Sequence, residues 1–556
     1  MSSAAPIAGR RWLFLTCFVA LVTTAFAFLT RIFVIDAWAA DFGFDKVQAG
    51  QLLGAGLWPF AVSIVLFSLV IDRFGYGRAL AVAFAFHVIS VGVTLCAPLM
   101  MAEPGAGAEA VLTAKERGFQ ILYWGSVVAG LAAGTVEAVI NPVIATAYAH
   151  NKAKWLTILH AGWAGGIVLA ALLLLAVQPG TGLLAGLFNG PVTWPWQVAL
   201  LLVPTLIYGA MALRCRFPVN ERVAAGVSYR EMLSEVGGLG AFIAVGLVAW
   251  ELARVFGPAV GLGGLELGGL PGTAVAGLGL GVLAGLGFLV YTGSLGRPLF
   301  VFLLLVMVLL ATTELGTDSW IKDLMKEPMR AAFGLDSGWV LVFSASVMLL
   351  LRVGSGPLVR LLNPVGLLLL SCVFVAAGMV TLSKVSAASA ILIGASLYAI
   401  GQAYFWPMTL GLVSERFPKG GALTLNAIAG VGLIGVGILG NPLLGYIQDR
   451  EVETGLVALS SEVADGVLSE PKPYVLGEYR SVDPEKLKLT DDRTGAMVSA
   501  VQADAKRGVL LKVAALPLTM LVCYVGLWLY FRANGGYRAE SLPVTRDETP
   551  RDYRPV

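Results

Sequence analysis

The chain has 556 residues, of which 57% are hydrophobic and 13% are charged, and its formal net charge is +3. A soluble domain carries about 25% charged residues, so this composition excludes a soluble multidomain enzyme, a disordered protein and a nucleic-acid-binding protein. Mean hydropathy is +0.81, and 67 residues are glycine, which lets membrane helices pack closely. The class that fits is a polytopic α-helical membrane protein.

Fourteen apolar runs are long enough to span a bilayer, because a span needs about 20 mostly apolar residues. They lie at 12–35, 48–70, 79–101, 119–148, 156–178, 195–214, 238–256, 272–294, 298–321, 337–355, 364–384, 388–413, 422–446 and 508–531. Every second connection is basic, including the segments with Arg73, Lys152, Arg297, and the pair Arg352 and Arg360. By the positive-inside rule we predict fourteen spans with both termini cytoplasmic, in the cell membrane.

The connection after the second span has a signature that is typical of a conformational switch. It reads SLVIDRFGYGRAL, from Ser68 to Leu80. It resembles the G-x-x-x-D-R-x-G-R-R loop of the major facilitator superfamily, and Asp72, Arg73, Gly75 and Arg78 match that pattern. A carboxylate between two helix ends can pair with arginine in one conformation and release it in the other.

The fourth span carries polar residues in the middle of an apolar run. It reads GTVEAVINPVIATAY, in which Glu137 and Asn141 lie one turn apart on the same face. The fifth span begins LTILHAGWAGG and contains His160 and Trp163. With ELGTDSW in span nine, YFWP in span twelve and LTLNAIAGVG in span thirteen, these motifs resemble the fucose:proton symporter family of the major facilitator superfamily.

The resemblance implies an all-α major facilitator fold of two six-helix bundles. The first bundle would occupy 1–216, a linker with an inserted helix pair 217–296, and the second bundle 297–532. The outer connection 449–507 holds 20 of the 73 charged residues and is therefore solvated, either as an ordered cap or as a flexible loop. The tail, 533–556, is predicted to be disordered and cytoplasmic.

Glu137 is the leading candidate for proton coupling, because an ionisable group inside a span is costly and is functional by default. It could take up and release a proton, form a fixed pair with Arg31, or only contact substrate. Where the family has an aspartate in span one, this chain has Arg31, and Asp36 follows more than a turn later. We therefore include Arg31 and Asp36 with Glu137 as candidates for coupling.

The candidates for substrate binding are amides, carboxylates and aromatic side chains, which suit sugar hydroxyls and sugar rings. For Asp318 a solvated position near the outer end of span nine is an alternative, and for His160 a packing role is equally consistent. The candidates are Asn141, His160, Trp163, Glu314, Asp318, Gln402, Tyr404, Trp406 and Asn426.

The predicted function is secondary active transport of a small neutral solute, a sugar by resemblance, through proton symport with alternating access. The chain would act as a monomer in the lipid bilayer, without nucleic acid, cofactor or metal, and it contains no enzyme motif. The alternatives are a proton antiporter or a peptide or drug carrier of the same superfamily, and a nutrient sensor that does not transport.

Overall fold

The computed structural model describes residues 9–44, 46–103, 105, 107–177, 184, 194–262, 264–268, 270–318, 325–335, 338–384, 388–472 and 476–542. The helices of the first half are α1 (Arg10–Phe42), α2 (Lys46–Gly54), α3 (Trp58–Phe74), α4 (Tyr76–Leu95), α5 (Ala108–Ala147), α6 (Lys152–Ala176), α7 (Trp194–Ala199) and α8 (Leu202–Ala212). The middle of the chain forms α9 (Glu221–Ala224), α10 (Tyr229–Phe256) and α11 (Gly272–Thr292). Between α10 and α11 lie two antiparallel strands, β1 (Glu266–Leu267) and β2 (Leu270–Pro271).

The second half begins with α12 (Pro298–Ala311), which continues as a π-helical turn, Thr312–Gly316. The later helices are α13 (Lys326–Phe333), α14 (Gly338–Val353), α15 (Gly356–Ser383), α16 (Ala388–Arg416) and α17 (Gly421–Gly435), followed by a second π-helical turn, Val436–Gly440. The last are α18 (Asn441–Leu459), α19 (Ser461–Val467), α20 (Pro484–Lys488), α21 (Asp492–Val513) and α22 (Ala515–Ala533).

In the described ranges, 13 helical segments are long and apolar enough to cross a membrane. The expected span at 337–355 corresponds to α14, an apolar helix of 16 residues that is shorter than the others. Each of the fourteen predicted runs therefore corresponds to an apolar helix. The protein is an integral membrane protein, as the composition predicted.

The helices of the first half cross at points where glycine permits backbone contact. A Cβ at Gly134 of α5 would lie 2.1 Å from the carbonyl oxygen of Phe60 in α3. A Cβ at Gly166 of α6 would lie 2.6 Å from the carbonyl oxygen of Val22 in α1. No side chain fits at either crossing, so these glycines set the spacing of the helices around the centre of the protein.

The two halves meet along the middle of the molecule. Helix α6 packs against α14 and α16, and α3 packs against α17. Helices α10 and α11 pack against each other, and α10 also contacts α17 and α12. The inserted pair thus lies beside the interface of the halves. It contributes no residue to the central cavity described below.

The molecule has two chemically different ends. The end where α1 begins and α22 ends carries Arg73, Arg222, Arg297 and Arg416, and we name it the basic end. The opposite end carries the described residues of 449–507, which extend α18 and α21 and add α19 and α20. We name that segment the cap.

The described part of the cap has a core of its own. Its buried residues are Val452, Leu456, Ala464, Val467, Leu468, Val498, Val501 and Ala505. Arg480 joins two of its helices by pairing with Glu453 at 3.0 Å and with Asp465 at 2.8 Å. Of the two alternatives left by the sequence, these contacts favour an ordered cap.

The tail is ordered further than the sequence predicted. Glu540 pairs with Arg297 at 2.9 Å and with Arg416 at 3.1 Å, and the Tyr537 hydroxyl donates to Glu415 at 2.6 Å. Partial burial acts to raise the pKa of Glu540, but the hydrogen bonds from Arg297 and the positive charges of Arg297, Arg416 and Lys419 together outweigh it and hold the pKa below its ordinary value. The disorder expected from residue 533 on therefore does not apply to 534–542, because two arginines at helix ends hold the acidic segment. Residues 543–556 lie outside the described residues.

Candidate functional site

A small cavity lies between the two halves near their middle. About 30 Å³ of it is open to the centre of a water-sized sphere, which is room for roughly two waters and less than a monosaccharide needs. Its lining comes from both halves and combines three charged groups with aromatic side chains. The lining residues are Phe60, Glu137, His160, Trp163, Glu314, Leu315, Arg352, Trp406 and Leu433.

The first half contributes a short hydrogen-bonded chain to this cavity. The Asn141 side chain donates from Nδ2 to Oε2 of Glu137 at 2.6 Å, and Oδ1 of Asn141 lies 3.1 Å from Nε2 of His160. With the amide in this orientation, Nε2 of His160 carries the proton. Glu137 is 5% exposed, so Asn141 is the group that stabilises its carboxylate and fixes its position.

The second half contributes Arg352, which lies within the predicted span 337–355 but which the positive-inside pattern counted with Arg360 in a cytoplasmic connection. That placement is wrong, because Arg352 is only 1% exposed and extends from the last turn of α14 into the cavity. Its guanidinium donates to the carbonyl oxygens of Ala403 at 2.8 Å and His160 at 2.9 Å. It also lies 3.4 Å from Oε1 of Glu314.

The bond from Arg352 to His160 joins the halves, because His160 belongs to α6 and Arg352 to α14. Glu137, Asn141 and the His160 imidazole are hydrogen-bonded in turn, and the backbone carbonyl of the same His160 accepts from Arg352, which contacts Glu314; we name this set of contacts the polar path. If one half moves relative to the other, the bond between Arg352 and His160 must either break or move with both residues. The path is thus placed where a conformational change and a change of charge can affect each other.

Glu314 lies in the π-helical turn that follows α12, and such turns recur at functional sites. The turn is packed against the second π-helical turn, since a Cβ at Gly440 would lie 2.4 Å from Oγ1 of Thr312. One turn on, Asp318 accepts from Gln402 at 2.5 Å and from the Tyr398 hydroxyl at 3.1 Å. Asp318 is therefore held by hydrogen bonds to α16, and the solvated position considered for it does not apply.

The predicted coupling and binding residues that do not line the cavity are Arg31, Asp36, Asn141, Asp318, Gln402, Tyr404 and Asn426. Asp36 is exposed on α1. The Tyr404 hydroxyl donates to the carbonyl oxygen of Leu351 at 3.2 Å, and Asn426 donates to the carbonyl oxygen of Ala138 at 3.2 Å. The last bond joins α17 to α5, so Asn426 contributes to the contact between the halves.

The fixed pair between Glu137 and Arg31, one of the three alternatives for Glu137, is not formed. The Arg31 guanidinium lies against Gly56, where a Cβ would come within 2.9 Å of it. Gly56 in turn packs on Gly130 of α5, about 10 Å along the helix from Glu137 at 1.5 Å per residue. Arg31 therefore lines a different cavity, closer to the cap end of the first half.

The switch loop makes its ion pair outside its own motif. Asp72 accepts from Arg222 of α9 at 2.5 Å and 3.2 Å, and the guanidinium of Arg73 stacks 5.5 Å from the ring centroid of Tyr229. Arg78 is exposed. Gly75 has a φ of 91° and provides the turn between α3 and α4.

The segment around α9 closes the basic end of the molecule. Lys152 of α6 pairs with Glu221 at 2.5 Å and donates to the carbonyl oxygen of Ser414 in α16 at 3.3 Å. Asn220 packs on Gly421 at the start of α17. These contacts tie both halves to one short segment, so the basic end is closed in this conformation.

The most important residues that the sequence reasoning missed are Arg352, Arg222 and Tyr398. Arg352 could have been recognised because its neighbours on both sides, Leu351 and Val353, continue an apolar run. No comparable sequence signal exists for Arg222, since it lies in a basic linker whose partner is 150 residues away.

Comparison with known proteins supports the fold alone. No family model matches the sequence, and no curated protein matches it. The structure is similar to a proton:xylose symporter of the major facilitator superfamily, with a TM-score of 0.56 and 14% identity over 94% of this chain and 96% of that chain. For the E. coli fucose:proton symporter the TM-score is 0.51 with 12% identity, over 91% of this chain and 99% of that chain.

An auto-inhibited peptide transporter of the POT family is also similar, with a TM-score of 0.53. Its identity is 13% over 98% of this chain and 99% of that chain. Transporters with different substrates therefore share this architecture. The chain has the major facilitator fold, which confirms the resemblance of its motifs at the level of the fold.

Proposed function

We propose that this chain, which has the major facilitator fold, is a secondary active transporter that moves a small neutral solute, a sugar, together with protons across the cell membrane. Both termini are assigned to the cytoplasm. The observation that carries the proposal is the polar path from Glu137 to Glu314, because it joins a buried carboxylate of each half at a cavity between the halves.

Glu137 is assigned the role of proton acceptor. In this state its Oε2 accepts from Asn141, which leaves the carboxylate with a fixed neutral donor and without an arginine partner. A proton added to Glu137 removes its charge and makes it a donor towards a hydroxyl in the cavity. Deprotonation on the other side would restore the charge and release the solute.

Solute recognition is assigned to polar groups and flat aromatic faces around the cavity. His160, Glu314 and Arg352 offer donors and acceptors for hydroxyl groups, and Trp163 and Trp406 offer apolar faces for a ring. The cavity must widen before a monosaccharide fits, which agrees with alternating access by rocking of the halves. Opening of the basic end requires loss of the contacts that reach the second half, from Lys152 to Ser414 and from Asn220 to Gly421, whereas the Asp72–Arg222 and Lys152–Glu221 pairs hold α9 on the first half.

The experiment is solute-induced proton uptake. The chain is expressed in transport-deficient cells, mono- and disaccharides are added to a weakly buffered suspension, and external pH is recorded. Alkalinisation with one sugar that disappears in Glu137→Gln is the expected result. Labelled-sugar uptake without a pH change would refute the proton coupling, and the absence of both signals for every sugar would refute the sugar assignment.

A second candidate is a carrier of small peptides or other zwitterions. It is favoured by Arg352 and Glu314, which place opposite charges 3.4 Å apart in the cavity lining, and by the similarity to a peptide transporter. The same suspension assay distinguishes the candidates when dipeptides replace sugars. Alkalinisation with dipeptides alone would transfer the proposal to this class.

A further inference from the structure

The first half contains a second polar cavity, separate from the central one. It lies between α1, α4 and α5 and is closed on one side by residues of α7 and the turn that follows it. About 20 Å³ of it is open to the centre of a water-sized sphere, which is enough for one water or one small ion. Its polar lining consists of Thr30, Arg31, Trp38, Ser90, Thr94 and Ser126.

The charge in this cavity is uncompensated. None of the described residues that line the cavity is Asp or Glu, and Arg31 makes no ion pair or hydrogen bond with any residue in the described ranges. Arginine stays protonated inside proteins, so it cannot escape this situation by losing its charge. A partly buried cation in a membrane-spanning helix is costly unless an anion accompanies it.

Two other polar groups in the cavity lining are hydrogen-bond donors that lack an acceptor among the described residues. Trp38 and Ser126 both line the cavity and are 1% and 2% exposed, and neither the indole N–H nor the hydroxyl has a hydrogen-bond partner among the described residues. A buried N–H without an acceptor is uncommon, because the desolvation of the group is not repaid. An acceptor in this space would lie in a cavity that the indole, the hydroxyl and the guanidinium all line.

We infer that this cavity is a binding site for one small monovalent anion, with chloride as the fitting ion. The size excludes a carboxylate-bearing solute, and the donor set with its full positive charge favours an anion over water. The anion would tie α1 to α5 within the first half and would neutralise Arg31. This site goes beyond the proposed transport function and does not depend on it.

The test is the chloride dependence of thermal unfolding of the purified full chain in detergent, with gluconate replacing chloride at constant ionic strength. We expect the unfolding midpoint to rise with the logarithm of chloride concentration, and bromide to act in the same way. In Arg31→Met this dependence should disappear. Arg78→Met, which removes an exposed arginine from the same half, should keep it.

Trp38→Phe gives an independent measurement that keeps the guanidinium. Loss of one hydrogen bond to a charged group should raise the chloride concentration for half-maximal stabilisation at least about tenfold, and Ser126→Ala should act in the same direction. These two variants decide the matter if Arg31→Met does not fold. An unfolding midpoint of the unmodified protein that ignores chloride, or a chloride effect that persists in Arg31→Met, would overturn the assignment.

Discussion

Arg352 and Arg360 are indistinguishable in the charge pattern of the sequence, and the structure predicts very different consequences for their removal. Arg352 is 1% exposed and makes three contacts, to the carbonyl oxygens of Ala403 and His160 and to Glu314. Arg360 is exposed. We expect Arg352→Met to destabilise the protein strongly and Arg360→Met to leave its stability almost unchanged.

The size of the effect follows from what Arg352→Met leaves behind. Removal of one partner from a buried ion pair costs about 3–5 kcal/mol, and each buried carbonyl that loses its donor costs about 1–3 kcal/mol. The Glu314 contact is long, at 3.4 Å, and water can enter the adjoining cavity, so we expect a loss near the lower limit, about 3 kcal/mol. For Arg360→Met the expected change is within about 0.5 kcal/mol.

The assay is equilibrium unfolding of the purified protein by denaturant in detergent, with a double-mutant cycle. Glu314→Gln removes the carboxylate that Arg352→Met would strand, so the double variant should be more stable than the sum of the two single changes predicts. The expected coupling energy is about 1 kcal/mol or more. The matched variant Arg360→Met controls for the loss of a positive charge from this part of the chain.

Two results would refute this reasoning. If Arg352→Met and Arg360→Met have the same stability, then Arg352 is not a buried structural cation. If the double variant is merely additive, then the cost comes from the carbonyl oxygens of Ala403 and His160 rather than from the charge of Glu314.

Glu137→Gln should abolish solute accumulation but retain exchange. In the unmodified protein, one proton moved across 100 mV provides about 2.3 kcal/mol, which corresponds to about 50-fold accumulation of the solute. Asp72→Asn should favour opening of the basic end roughly 5- to 30-fold, about 1–2 kcal/mol, because it leaves the buried Arg222 guanidinium without its carboxylate partner. Thiol access to a cysteine placed at that end measures this. Glu540 has a folded-state pKa below its ordinary value, so its stabilisation of the tail is present at neutral pH and is lost as the pH falls through that folded-state pKa. Glu540→Gln should reproduce this release at neutral pH, measured as faster protease cleavage of the tail.

Glu251→Gln is the matched control for Glu137→Gln, and each of these predictions has an outcome that would contradict it. Glu251→Gln changes another buried carboxylate, which is paired with Arg254 at 2.7 Å and lies away from the cavity lining, and it should retain accumulation. Accumulation that survives in Glu137→Gln contradicts the coupling role. Unchanged thiol access in Asp72→Asn would show that the ion pair does not hold the basic end closed. Equal cleavage of the tail in Glu540→Gln and the unmodified protein would contradict the role of that carboxylate.

The sequence alone determined the membrane class, the fourteen apolar helices and the polar positions of spans four, five and nine. These follow from local chemistry, because hydrocarbon requires apolar runs of fixed length and makes every interior charge conspicuous. Glu137, Asn141 and His160 were recognised together for this reason. The contact between Glu137 and Asn141 is also local, because residues four apart on one helix lie on the same face.

Only the tertiary structure decided which charges meet. Arg352 was counted as a loop charge and lies in the cavity, whereas Arg31 was expected beside Glu137 and lies in a separate cavity. Helix packing between elements that are far apart in the chain sets these distances, and a shift of one turn moves a side chain by about 5.4 Å. The periodicity of a single helix contains no information on that shift. The surroundings of Arg352 and Arg31 therefore depend on how helices that are distant in the chain lie beside each other.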